Sequence, residues 1–236
     1  MQDAPAAPVT HRKPRASAEG ARYGVLRRLA PSLKHDMVVN LQAISMMAEV
    51  LGVRLERTPN IPAEFQDNIA KLNRLAREAV RNCIKVATWI EPGEDEAVRL
   101  ADGVDECVAL LANNFSFRGF TIDKELADTD FRVWRTQVRS LLAASLICLT
   151  DAAQVPSHIR IHAEIVNGAA ELSVHVVPQA GDLEGQPFEP AYRTLEWADV
   201  QSLADAEGIT LVRGLEHVAM SLPRAVATAP LRIAPV

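Results

Sequence analysis

Apolar residues recur at Leu33, Met37, Leu41, Ile44, Met47 or Ala48, Leu51 and Leu55, at intervals of three and four. That rhythm predicts one amphipathic helix sustained for about six turns. It starts near Ala21, or at Ser32 if Pro31 breaks it, and ends near Arg57. Pro31 predicts a kink or a restart, because its ring lacks an N–H and crowds the preceding turn. Thr58-Pro59-Asn60-Ile61-Pro62 ends the helix, and Pro62 suits the first turn of the next one. The second helix carries Phe65, Ile69, Leu72, Ala76, Ala79, Cys83, Val86 and Ile90, a heptad-like seam. Two helices joined by so short a turn pair antiparallel. One hairpin cannot bury two faces this apolar, so the pattern predicts two hairpins in a dimeric four-helix bundle.

After Glu91-Pro92-Gly93 the texture changes. Leu100 to Ala112 has helical spacing, Phe120 to Leu126 alternates as a strand, and Phe131-Arg132-Val133 is short and extended. Gln137 to Ala152 is a strongly apolar helix. Ile159 to Ile165 and Ala170 to Val176 form a hairpin across Asn167-Gly168, a strong two-residue turn signal. A Pro/Gly-rich loop from Pro178 to Pro190 precedes a helix, Leu195 to Glu207, and strands at Thr210–Val212 and His217–Leu222. Helices layered on a mixed sheet make this half a two-layer α/β sandwich, and the whole chain α+β. The expected organisation is a disordered tail over 1–20, a helical hairpin over 21–91, the sandwich over 97–225 and a C-terminal tail over 226–236.

Composition narrows the class. The 236 residues are 48% hydrophobic and 23% charged, enough for one or two domains with real cores. A net charge of −5 argues against a nucleic-acid partner. The basic cluster His11-Arg12-Lys13-Pro14-Arg15 lies in the Ala/Pro-rich first stretch and is assigned to the tail. No uninterrupted apolar run reaches membrane-spanning length; the longest, Leu141–Leu149, is broken by Ser145. Positive charge near the N-terminus is not followed by an apolar region, so no signal peptide is read there. Cys83, Cys107 and Cys148 sit apart on apolar periodicities, as reduced core cysteines of a cytoplasmic protein do.

The candidate chemistry lies in Lys34-His35-Asp36-Met37-Val38-Val39-Asn40. At about 100° per residue, His35 points away from the stripe through Leu33 and Met37 and into solvent. A helical surface histidine has no role by default. A carboxylate beside it on a rigid helix suits exchange of a group with a visiting partner. Val38 or Val39 is a docking contact, or else part of a broader buried face. His158, His162 and His175 share one face of the predicted sheet, without the carboxylate or cysteine spacing that completes a metal site.

The order of these features, an exposed His-Asp on the first helix of a hairpin and then an α/β sandwich, resembles the transmitter core of bacterial histidine kinases. The resemblance covers about residues 20–225. It implies that His35-Asp36 is the phospho-accepting pair. Asn40 stands where one subfamily, with a His-Asp-x-x-x-Gln pattern, keeps a water-orienting glutamine. The two nucleotide-binding asparagines of the kinase helix fall at Ala144 and Cys148. The Asp-x-Gly-x-Gly loop is replaced by Pro178-Gln179-Ala180-Gly181-Asp182-Leu183-Glu184-Gly185. Ala144 and Cys148 supply no oxygen to Mg²⁺, which ATP chemistry relies on, so ATP binding is expected to be lost. The combination resembles dimeric histidine phosphotransferases built on a degenerate kinase core. It implies response-regulator receiver domains as partners, Mg²⁺ supplied by the receiver, and no cofactor or metal of the chain's own; the absence of a membrane or nucleic-acid partner is expected from the apolar runs and the charge above. His35 is then the phosphoryl carrier, Asp36 its orienter, and Lys34 a group that neutralises phosphoryl oxygens or a solvated lysine. Two other readings stay open: a regulatory adaptor in which His35 is vestigial, and a divergent kinase or receiver phosphatase acting through Asn40.

Overall fold

The computed structural model describes residues 12–57, 63–90, 96–126, 130–153, 155–179 and 193–226. The expected break at Thr58–Pro62, most of the loop after Pro178 and nearly all of the C-terminal tail lie outside the described residues. The chain divides into two compact units, residues 28–94 and residues 1–27 together with 95–236.

The first unit is a helical hairpin. Helix α1 (Arg12–Arg57) runs through Pro31 as one element, and α2 (Ala63–Ile90) follows it. Pro31 lies exposed inside α1 and does not end it. On α1, Leu33 and Leu51 are buried and Met37, Ile44 and Met47 half-buried, as the stripe requires, whereas Leu41 and Ala48 are exposed. The α2 seam divides in the same way. Ala79 is buried and Leu72, Ala76, Cys83 and Val86 are half-buried, while Ile69 and Ile90 stay exposed. The side chains of Leu55 and Phe65 lie outside the described part.

The second unit contains β1 (Ala97–Arg99), α3 (Leu100–Phe117), β2 (Thr121–Leu126), β3 (Arg132–Trp134), α4 (Arg135–Ala152), β4 (Ser157–Val166), β5 (Ala169–Pro178), α5 (Trp197–Glu207), β6 (Thr210–Arg213) and β7 (His217–Pro223). Its five-stranded sheet has the order β2-β4-β5-β7-β6, with β2 parallel to β4 and the other neighbours antiparallel. β1 and β3 form a separate antiparallel pair. One sheet face buries Ile159, Ile161, Leu172, Val174, Val218, Met220 and Leu222. α4 supplies the centre of the helical layer: Leu141, Leu142, Leu146 and Ile147 are at most 1% exposed. The chain is therefore α+β, a helical segment followed by a mixed-sheet sandwich.

Local signals account for the boundaries. Asn167 (φ 50°) and Gly168 (φ 82°) are both left-handed, as a tight hairpin turn with native twist requires. At α5, Glu196 and Asp199 form a reciprocal capping box, and Arg193 donates to both Asp199 oxygens at 2.7 and 2.9 Å. The guanidinium holds the Asp199 carboxyl below its ordinary range against the opposing effect of burial. Burial pushes the Cys107 and Cys148 thiols up, so neither is a ready nucleophile.

Two expectations change. The anticipated tail over 1–20 is helical from Arg12 onward, and residues 16–27 belong to the sandwich unit rather than to the hairpin. Ala18 and Ala21 are fully buried and Val25 nearly so. Arg22 pairs with Glu207 at 2.6 Å, and Ser17 meets Ser202 at 3.0 Å. This stretch of α1 thus lies along α5. Small residues at intervals of three and four make up the buried side of this stretch, a signal hidden by the alanine- and proline-rich composition. Second, α1 contains a stretch long and apolar enough to cross a membrane by length and composition alone. No single apolar run exposed it, because its apolar residues lie on two stripes separated by single polar positions.

Candidate functional site

His35 sits on α1 with its side chain 67% exposed. Its Nδ1 is 3.6 Å from Asp36 Oδ1. That exceeds hydrogen-bond length. With Nδ1 turned toward Asp36, Nε2 is left to the solvent side. The neutral form of imidazole is a nucleophile.

The backbone beneath this pair is tied to the second helix. The Asp36 carbonyl accepts from Asn82 Nδ2 on α2 at 3.3 Å and from Asn40 Nδ2 at 3.4 Å. Asn40 therefore lies on the α2-facing side, roughly 140° around the helix from His35 by its five-residue spacing, and its amide is turned to the backbone. Lys34 is exposed. The structure brings Asp36 to His35; it does not bring Asn40 to the ring. Asn82 was missed from the sequence. Its signal was available: it falls three residues after Ala79 and four before Val86, a polar group inside the seam.

Helical phase sorts the rest of the hairpin surface into two flanks. Val39, Met46, Val50 and Val53 follow His35 along one flank of α1 and are 46%, 62%, 47% and 46% exposed. On α2, Lys71, Arg74, Arg81 and Lys85, with Glu78 among them, lie on that same flank, as two antiparallel right-handed helices require once Asn82 faces Asp36. The opposite flank carries Leu41 on α1 and Ile69, Val80 and Ile84 on α2, all exposed. Val39 thus lies on the flank of His35, and Val38 is half-buried.

In the sandwich, Ala144 is fully buried and Cys148 is 8% exposed. These are the positions where the kinase resemblance places nucleotide-binding asparagines, and neither presents an oxygen donor. The sheet histidines all lie on the face away from the helices. His158 Nε2 is 3.1 Å from Asp123, His162 Nδ1 is 3.7 Å from Glu125, and Thr121 Oγ1 is 2.8 Å from His158 Nδ1.

No family model matches this sequence, and no curated protein does either. Among solved structures, the chain is similar to the catalytic domain of histidine kinase ThkA, with 18% identity over 56% of this chain and 97% of that one, at a TM-score of 0.44. It is similar to the Acinetobacter baumannii histidine kinase AdeS, with 13% identity over 80% and 98% of the two chains and a TM-score of 0.42. A bacterial phosphotransferase solved at 1.7 Å gives 16% identity over 85% and 96%, with a TM-score of 0.36.

Proposed function

We propose that this chain is a histidine phosphotransferase of a phosphorelay, carrying a phosphoryl group on His35 between receiver domains of response regulators. The observation that carries the reading is His35 itself: exposed, with the Asp36 carboxylate 3.6 Å away, and heading an open apolar strip on the hairpin. In the reaction, Nε2 attacks the phosphorus of a receiver aspartyl phosphate, the P–O bond to the aspartate breaks, and the phosphohistidine returns the group to a second receiver in reverse. Mg²⁺ bound by the receiver neutralises the phosphoryl oxygens. Asp36 holds the imidazole and stabilises the charge that develops on it, and Asn82 holds the turn that carries both.

The strip Val39–Met46–Val50–Val53, flanked by the lysines and arginines of α2, suits a partner with an apolar centre and an acidic rim. The opposite flank, Leu41 with Ile69, Val80 and Ile84, suits a second copy of the hairpin and a four-helix bundle. Buried Ala144 and Cys148 favour a carrier over an ATP-dependent kinase. The turn of Asn40 toward the backbone favours a carrier over a phosphatase acting through that residue.

The test is transfer of label from a ³²P-phosphorylated receiver to the purified chain. Rapid appearance of acid-labile label on the wild type, and none on His35→Ala, is expected. Binding of the receiver without label on the wild type would leave an adaptor. Release of free phosphate without a labelled intermediate would leave a phosphatase.

A further inference from the structure

The outer face of the sheet carries four histidines in two different situations. His158 and His162 on β4 are engaged by Asp123 and Glu125 of β2. His175 on β5 and His217 on β7 are instead engaged with each other. They are direct register partners, with ring centroids 5.1 Å apart and planes 14° from parallel. Val176 N–H donates to the Glu216 carbonyl at 2.8 Å. The neighbouring pair therefore takes the ladder hydrogen bonds, and His175–His217 is the close, non-hydrogen-bonded kind, with Cα atoms about 4.5 Å apart. The β6–β7 turn is shaped around one of these rings. The His217 ring lies over Gly214, so a larger residue at 214 would require the imidazole to move.

We propose that His175 and His217 form a two-imidazole binding site for a divalent transition metal ion of the Zn²⁺ or Cu²⁺ class on the outer face of the sandwich. As they stand the rings are stacked. The χ2 torsion of histidine is broad, and a rotation about it turns a nitrogen of each ring toward a common point at the 2.0–2.1 Å that zinc requires. Water completes the coordination sphere on the open side. An all-imidazole donor pair suits Zn²⁺, Cu²⁺ and Ni²⁺ and does not suit Mg²⁺ or Ca²⁺, which take oxygen ligands. His158 is outside the site because its Nε2 faces Asp123 and its Nδ1 meets Thr121, and His162 turns Nδ1 toward Glu125. The site belongs to the sandwich and does not depend on phosphotransfer at His35.

The experiment uses the full chain, stripped with a chelator, in two measurements. Calorimetric titration with Zn²⁺ or Cu²⁺ is expected to give one ion per chain at micromolar affinity, with no response to Mg²⁺. The second imidazole binds intramolecularly, so His175→Ala or His217→Ala is expected to weaken binding about a hundredfold, while His158→Ala leaves it unchanged. Independently of any variant, histidine ring-proton NMR spectra of the wild type are expected to show His175 and His217 perturbed first by Zn²⁺. Absence of micromolar binding, equal affinity in His217→Ala, or first perturbation at other histidines would each overturn the assignment.

Discussion

Replacing Ala21 with glutamate tests the docking of the N-terminal part of α1 on α5. Ala18 and Ala21 are fully buried, and Val25 is 4% exposed. Burying two methyl groups and a valine side chain stabilises the docked segment by roughly 3–4 kcal/mol, an upper estimate by area. The Arg22–Glu207 pair adds little, since the arginine is 42% exposed and a solvated ion pair contributes at most about 1 kcal/mol. Ala21→Glu places a charge with no partner in a site that lacks room for it, and so removes most of the docking free energy. A helix of about twelve residues does not persist alone in water. Residues 16–27 are therefore expected to lose amide protection together, while the rest of α1, supported by α2, keeps its own. A loss of about 2–3 kcal/mol from a unit of this size corresponds to a Tm lower by roughly 5–10 °C. Hydrogen exchange read by mass spectrometry, alongside thermal melting, measures both effects. Glu19→Ala, on the exposed side of the same turn, is the control and is expected to change neither. Unchanged protection of residues 16–27 and an unchanged Tm in Ala21→Glu would refute the reasoning.

Other perturbations probe separate elements. Asp199→Asn is expected to destabilise the sandwich by about 1–2 kcal/mol at pH 7, through loss of the charged cap and the Arg193 pairing. Because the folded carboxyl titrates below its ordinary value of 3.8, that stability is present above pH 4 and is lost as pH falls through the folded pKa. Denaturant curves for wild type and variant should therefore converge near pH 2, and a gap that persists there would remove Asp199 from the account. Gly168→Ala, at φ 82° with open space around it, meets no clash. It is expected to cost only the left-handed backbone penalty of about 1–2 kcal/mol, and a cost above about 3 kcal/mol by urea unfolding would contradict this. Met46→Glu, on the flank of His35, is expected to weaken receiver binding at least tenfold, about 1.4 kcal/mol, without changing the helix content seen by circular dichroism. Equal receiver affinity in a binding titration would move the docking surface elsewhere. Asp36→Ala is expected to slow phosphotransfer while leaving receiver affinity intact, and equal transfer rates by rapid quench would remove Asp36 from the chemistry.

Much of the architecture was legible because it is written in local periodicity. The Asn167-Gly168 turn, the apolar run that becomes α4 and the alternation in β4, β5 and β7 each carry their signal within a few residues. His35 was legible for the same reason: helical phase alone separates it from the stripe through Leu33 and Met37. β1 was not read, because Ala97-Val98-Arg99 runs directly into α3 and offers a single buried residue, Val98. The start of α1 was misread because Ala18 and Ala21 give a weak hydrophobic signal, and the surface that makes them core lies on α5, far away in sequence. The same holds for the sites. Sequence placed Asp36 beside His35, but only tertiary structure put Asn82 on the Asp36 carbonyl and turned Asn40 to the backbone. Sequence put His162 and His175 on one sheet face, but the pairing of His175 with His217 depended on strand order, with β5 beside β7. Covalent neighbours and helical or strand phase follow from the chain itself, whereas partners distant in sequence follow from which surfaces bury one another when the chain packs.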